Sequence, residues 1–250
     1  MSRQREDIEF TFDTYASLLR KAASRYKFVS LEAPGDGEGR ALWRHDIDFS
    51  PHRALAMARL EAKMGLKANY FVQLSSPFYN PFEAQISDCL KQIADLGHSI
   101  GVHFEPSSTS PGDRLSFEAR ILGSLLGIRI NTFSLHNPTT YSNQQLDSAE
   151  VCGLINASAP SWRYDFVYCS DSNGLWRHRS LLDVIEDPHT LNLYTLTHSE
   201  WWQNEQMTPR ERVIRCINGR AEHCLRFYDQ LLMENSRPNE GARHYSTHQL

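Results

Sequence analysis

The chain contains no apolar run approaching the roughly 18 residues that a membrane-spanning helix requires. Its first ten residues, MSRQREDIEF, lack the apolar stretch of a secretory leader. A cytoplasmic protein without a membrane span is therefore expected. A basic surplus is also missing. The 26 Lys and Arg residues against 30 Asp and Glu give a net charge of −4, the wrong sign for a nucleic-acid or polybasic membrane role. The five cysteines, Cys89, Cys152, Cys169, Cys216 and Cys224, are odd in number and form no CxxC pair. They read as reduced thiols, and their spacing speaks against a zinc–thiolate site. There is no internal repeat and no low-complexity block. Apolar residues at 40% and charged residues at 22% are those of an ordinary globular protein. A chain of 250 residues can bury a core without disulfides or a structural metal.

The pattern along the chain alternates. A helix is expected over about 12–25, a short strand over 26–31, then a Pro/Gly loop and a strand over 41–48. Ser50 and Pro51 open a helix that Gly65 stops. A β-rich aromatic segment spans 68–74. Ile86, Leu90 and Ile93 mark a helix over 83–96. A strand follows over 98–104, a helix around 115–126 and a strand over 132–136. Further strands are read near 154–157, 162–168 and 191–197. A long helix over about 209–232 carries Ile214, Ile217, Ala221, Cys224, Tyr228 and Leu231 on one face to close the fold. Residues 1–234 read as one domain and 235–250 as a polar, loose tail. Repeated strand–helix units imply a mostly parallel sheet, open or closed into a barrel, with its chemistry at the C-terminal strand ends.

Four strand ends carry polar residues. In Arg44-His45-Asp46-Ile47-Asp48, alternation puts Arg44, Asp46 and Asp48 on one face and His45 on the other. Two carboxylates on one face need a cation or a shared proton between them; helix-capping aspartates are the plain alternative. In the segment 97–105, Ser99, Gly101 and His103 share a face, and His98 points away. A satisfied core histidine is the competing reading for His103. Ser134 and His136 share a face at the third strand end, and His198 closes the fourth, ahead of Trp201 and Trp202. Imidazoles and carboxylates converging on one rim are the ligand set of zinc or a similar first-row metal. The residues alone thus suggest a metal-dependent hydrolase.

Taken in order, these segments resemble the polysaccharide deacetylase family, which includes the nodulation-type chitooligosaccharide deacetylases (carbohydrate esterase family 4). The resemblance covers roughly residues 40–200. HDID at 45–48 is similar to the family's first motif, GHSIGVHFE at 97–105 to its second, and LTHSEWW at 196–202 to its late Leu-x-His motif. RHDID with the later YFV strand and SPFYN is most similar to a divergent branch associated with surface-polysaccharide gene clusters. The resemblance implies a distorted, incomplete (β/α) barrel. It makes Asp46 the general base, Asp48 and His103 ligands of a divalent metal, first of all zinc, and His198 the general acid. Two positions depart from the family pattern. Ser107 stands where a second-motif histidine is usual, and SLHNP replaces the usual third motif. The reading adopted is that His136 supplies the missing ligand; a two-ligand site completed by water and a lost metal are the alternatives. Arg44 or Arg163 would replace the arginine that orients the base.

The implied activity is hydrolysis of an N-acetyl or related acyl amide on an amino sugar, in a nucleotide-linked or lipid-linked precursor of a surface glycan. The rival readings are an amidohydrolase acting on a non-sugar C–N bond and an inactive glycan-binding homologue. Asp171 is a candidate partner of His198, against the alternative of a turn aspartate. Tyr79, Trp176 and Trp201 are candidates for a sugar-binding wall, against the alternative of core packing.

Overall fold

The computed structural model of the chain describes residues 9–106, 110–138, 146–176 and 179–241. Ser107 and residues 242–250 of the expected tail lie outside them. Strands β1 (Lys27–Val29), β2 (Arg40–Ile47), β3 (Asn69–Val72), β4 (Ser99–Phe104), β5 (Thr132–Leu135), β6 (Glu150–Val151), β7 (Leu154–Asn156), β8 (Val167–Ser170) and β9 (Leu193–His198) form one sheet. Its order is β6-β7-β5-β4-β3-β2-β9-β8, with β1 beside the first half of β2. Every pairing is parallel except β6 with β7. The sheet does not close on itself, so the architecture is a distorted, incomplete (β/α) barrel.

The helices are α1 (Phe12–Ala23), α2 (Pro51–Lys63), α3 (Ala84–Asp95), α4 (Pro111–Leu126), α5 (Trp162–Asp165), α6 (Leu181–Glu186) and α7 (Pro209–Glu234). Local chemistry sets their starts. The Ser50 hydroxyl accepts from the Arg53 N–H at 3.3 Å, and Pro51 takes the first helical position, where no N–H is needed. Thr208 and Glu211 form a reciprocal cap at the start of α7. Gly127, at φ +70°, ends α4 in the left-handed conformation that glycine accepts without cost.

Central strand β2 is buried along its whole length. Ala41, Trp43 and Ile47 join the large core under the helices, and Leu42 packs with Phe71, Tyr194 and Phe166 in a smaller core on the inner face. His45 points outward into a dry polar hub. There Glu61, 0% exposed, accepts from the hydroxyls of Tyr15 and Tyr70 and lies 2.7 Å from His45 Nε2. Burial alone would raise the Glu61 pKa, but His45 and then His98 lower it, so the carboxylate is ionised. His98 receives the Ala68 N–H on Nδ1 and faces the Ala58 carbonyl with Nε2. It belongs to this outer hub and not to the inner rim.

Two expectations are corrected. Residues Trp162–Asp165 are a helical turn, and the strand begins only at Val167. α7 does not close the core with its apolar face. Arg212 is its one buried residue, while Ile214, Ile217, Tyr228 and Leu231 are 41–55% exposed. The periodicity was right for a helix, but only its N-terminal part meets the fold.

Gly101, on the inner face of β4, is filled from the side. A Cβ there would lie 2.5 Å from a Phe71 ring carbon and from Thr132 Oγ1. Both neighbours are buried and neither is a flexible tip. Gly101→Ala is expected to lower unfolding free energy by about 1–3 kcal/mol, read as a drop in the urea midpoint. An unchanged midpoint would mean that Phe71 can move, and that the inner face is looser than described.

Candidate active site

The inner face of the sheet gathers the polar side chains. Asp46 and His198 are register partners on β2 and β9, and His103 and Ser134 are partners on β4 and β5. Arg44, one alternation behind Asp46, reaches its carboxylate with two parallel bonds, Nε to Oδ1 at 2.8 Å and Nη2 to Oδ2 at 2.7 Å. Burial works against both charges, yet their attraction wins. The Arg44 pKa is raised, and the Asp46 pKa is held below the usual carboxylate range. Asp46 is thus ionised at neutral pH and free to take a proton. Of the two candidate arginines, Arg44 is the one on Asp46. Arg163 is exposed on α5, with its guanidinium 5.1 Å from the Tyr168 ring centroid. The strand expected to carry it inward is absent.

Ser134 links the base to the histidine. Its hydroxyl donates to Asp46 Oδ1 at 3.3 Å, and its oxygen lies 2.7 Å from His103 Nδ1. A hydroxyl that donates to a carboxylate is left to accept from the imidazole N–H. In a neutral His103 the proton then sits on Nδ1, which leaves the Nε2 lone pair for a metal. That Nε2 lies 3.1 Å from Asp48 Oδ1. Asp48 Oδ1 is itself buried, with the His103 imidazole as its close polar neighbour. His136 stands next to it, its ring centroid 5.1 Å from that of His103. Donor atoms of Asp48, His103 and His136 all lie within 4.8 Å of one another. A buried carboxylate oxygen facing one imidazole that Ser134 orients, with a second imidazole beside it, is the donor set that zinc and similar ions take. The three residues therefore fit a divalent metal.

His198 stands on the other side of Asp46. Its Nδ1 lies 2.7 Å from Asp171 Oδ1, and its backbone N–H also points at that carboxylate. The Trp202 indole N–H donates to Asp171 Oδ2 at 3.1 Å. Burial opposes a charged imidazole, but Asp171 outweighs it, and the His198 pKa is pushed up to about 10. His198 is an imidazolium at neutral pH with Nε2–H directed away from its partner. Asp171 is this partner and not a simple turn residue.

The expected sugar wall is not open. Tyr79 is 5% exposed, and its hydroxyl donates to the Ile47 carbonyl while accepting from the Gln73 N–H. It braces the end of β2. Trp176 stacks on Phe10 with centroids 5.6 Å apart, and Trp201 is 7% exposed, beside Phe49. These rings support the His198 turn from behind.

Three rim residues escaped the sequence reading. Strand alternation puts Ser134 on the inner face, but nothing in the residue order marks its link between Asp46 and His103. The Gln73 amide lies within 3.4 Å of His136 Nδ1 and 3.2 Å of Glu105. Glu200 follows His198 in the next turn; it is fully buried, and neither carboxylate oxygen has a side-chain hydrogen-bond partner among the described residues. Burial, and then the Asp48 charge, raise its pKa well above the carboxylate range. No local pattern marks such a residue, because its isolation is created by packing.

No family model matches the chain, and no curated protein matches it. Among solved structures it is similar to a family 4 carbohydrate esterase pseudoenzyme from Bacillus anthracis, with 12% identity and a TM-score of 0.48 over 76% of this chain and 63% of that one. It is also similar to the chitin deacetylase of the fungal pathogen Colletotrichum lindemuthianum, with 12% identity and a TM-score of 0.47 over 78% and 86%. A family 4 carbohydrate esterase from Streptomyces lividans, in complex with acetate, gives 17% identity and a TM-score of 0.42 over 73% and 88%. The chain thus spans less than two thirds of the pseudoenzyme's length. With TM-scores below 0.5, the functional reading rests on the rim residues themselves.

The His198–Asp171 pair has a stability signature. The folded state holds the His198 proton up to about pH 10, whereas an unfolded histidine releases it near 6.5. The pair's contribution is complete below about pH 6.5 and is lost as pH rises through about 10. Thermal melts of the metal-free protein should show the wild type losing stability across that window. Asp171→Asn should be less stable below it and show a shallower slope within it. Equal slopes would mean that Asp171 does not hold the proton on His198.

Proposed function

We propose that the protein is a metal-dependent deacetylase of the polysaccharide deacetylase type, removing an N-acetyl or related acyl group from an amino sugar. One observation carries this reading. An ionised Asp46 and a protonated His198 are neighbours in register on adjacent strands, and the Asp48, His103 and His136 donor atoms converge at the same rim. Hydrolysis of an amide needs a base for the attacking water and an acid for the departing nitrogen. A rim that holds one group of each kind in opposite protonation states supplies both.

A divalent ion, zinc first among the candidates, would be held by Asp48, His103 and His136 and would supply Lewis acidity toward an amide carbonyl. The chain's own groups move the protons. Arg44 keeps the Asp46 carboxylate ionised and fixes its plane, so that Asp46 can take the proton of the attacking water. Ser134 keeps His103 in one tautomer. His198 then donates its Nε2 proton to the leaving nitrogen, without which the tetrahedral adduct reverts to amide. Asp171 stabilises the imidazolium before the transfer and holds the ring direction throughout. The surface-glycan setting of the substrate is supported by the likeness of RHDID, YFV and SPFYN to that branch.

Asp46→Asn and His198→Ala should both still fold and bind zinc, at lower stability because Arg44 and Asp171 each lose a buried charged partner, while losing turnover by about 100-fold or more. Acetate release from N-acetylglucosamine oligomers and from a nucleotide-linked N-acetyl sugar, run beside elemental analysis, checks this. If Asp46→Asn keeps its metal and stays within about threefold of the parent rate, Asp46 is not the base. His103→Ala and His136→Ala should each reduce bound zinc sharply, whereas His98→Ala should keep it and lose only stability. Carbohydrate binding without any acetate release would favour the inactive glycan-binding reading.

A further inference from the structure

A groove of about 790 Å³ runs between the first turn of α2, the loop after β3 and α7. It begins at Phe49 and Ser50, immediately after Asp48, and the Phe49 and Phe78 rings meet there at 4.0 Å. It is therefore continuous in chain with the metal-ligand corner. Its walls are rich in cationic groups. Arg53 from α2 and Arg215 from α7 both line it. Neither makes an ion pair among the described residues; the Arg215 guanidinium has only Met207 Sδ, at 3.9 Å. Partial burial, and then Arg215 itself, lower the Arg53 pKa. Two half-buried like charges repel, and an anion between them removes the repulsion. The lining also holds Glu205, Glu211 and Glu222, and none of the three pairs with Arg53 or Arg215 among the described residues. Glu211 is spent on capping Thr208, and Glu222 faces Arg226 at 3.5 Å.

We infer that this groove binds the diphosphate of an activated sugar whose acylated amine lies at the Asp46–His198 rim. The inference rests on the deacetylase reading for its substrate and deepens it. Guanidinium groups match phosphate oxygens in paired hydrogen bonds, and the α2 N-terminus adds its positive end beside them. The groove is also bounded. Arg220 on α7 clamps Glu83 at the start of α3 through two hydrogen bonds. A volume within the roughly 300–1,000 Å³ of single small-molecule sites suits one activated sugar better than a long acidic polymer.

The test is calorimetric titration of the full-length protein with inorganic pyrophosphate, uridine diphosphate, farnesyl diphosphate and a hexuronate tetramer, each with and without zinc. Pyrophosphate should bind in both conditions and weaken as salt is raised. Arg53→Gln and Arg215→Gln should each weaken it by about tenfold. Arg179→Gln, whose ion pair with Asp187 lies outside the groove, should change it by less than about twofold. Tighter binding of uridine diphosphate identifies a nucleotide-linked substrate; tighter binding of farnesyl diphosphate identifies a lipid-linked one. Binding that requires zinc, survives both arginine changes with the same affinity, or is seen only with the hexuronate overturns the proposal. Hydrolysis is not read in this experiment. Diphosphate binding without acetate release would refute the deacetylase reading alone, and acetate release without diphosphate binding would refute the groove alone.

Discussion

The Asp46 carboxylate is only 2% exposed, and burying such a charge without a partner would cost several kcal/mol. Arg44 makes the burial possible by meeting both oxygens from the same strand face. The arginine is in turn held by the Ala157 carbonyl and the Ser158 hydroxyl and lies over the Phe71 ring. Ser134 then depends on Asp46 as its acceptor, and the tautomer of His103 depends on Ser134. The orientation of one candidate ligand, His103, is thus traced through Ser134 to one buried ion pair. Removing one member of such a pair costs about 3–5 kcal/mol in comparable cases, so this end of β2 is rigid by necessity.

The opposite face of β2 carries a second set of charges. His45, between Arg44 and Asp46 in sequence, joins Glu61, Tyr15 and Tyr70, and Thr197 Oγ1 lies 2.6 Å from His45 Nδ1. Thr197 immediately precedes His198. The two strands that carry base and acid are therefore tied together on both faces, by the backbone ladder and by this hub. A rim built on a fully satisfied platform keeps its donors and acceptors in place before any substrate arrives.

Base and acid are separated by environment and not by residue type alone. Arg44 pulls the Asp46 pKa down, while Asp171 pulls that of His198 up to about 10. The roles follow from partners lying two residues before Asp46 and 27 residues before His198. Trp202 and the neighbouring rings keep water from Asp171, which strengthens its hold on the imidazolium.

Parity was legible in the residue order. Strand alternation alone placed Arg44, Asp46 and His103 inward and His45 and His98 outward, because successive side chains of a strand must take opposite faces. The helix starts at Ser50 and Thr208 follow from local capping chemistry. The boundary at 162–168 was not legible, since Trp162, Tyr164 and Phe166 alternate like a strand while a helical turn satisfies their backbone locally. Neither were the exposure of α7, the choice of Arg44 over Arg163, the burial of Tyr79 or the isolation of Glu200. Each of these depends on which distant segment packs against the residue. Chain order can say which way a side chain faces along its own strand or helix; what meets it there is set by the path of the whole chain.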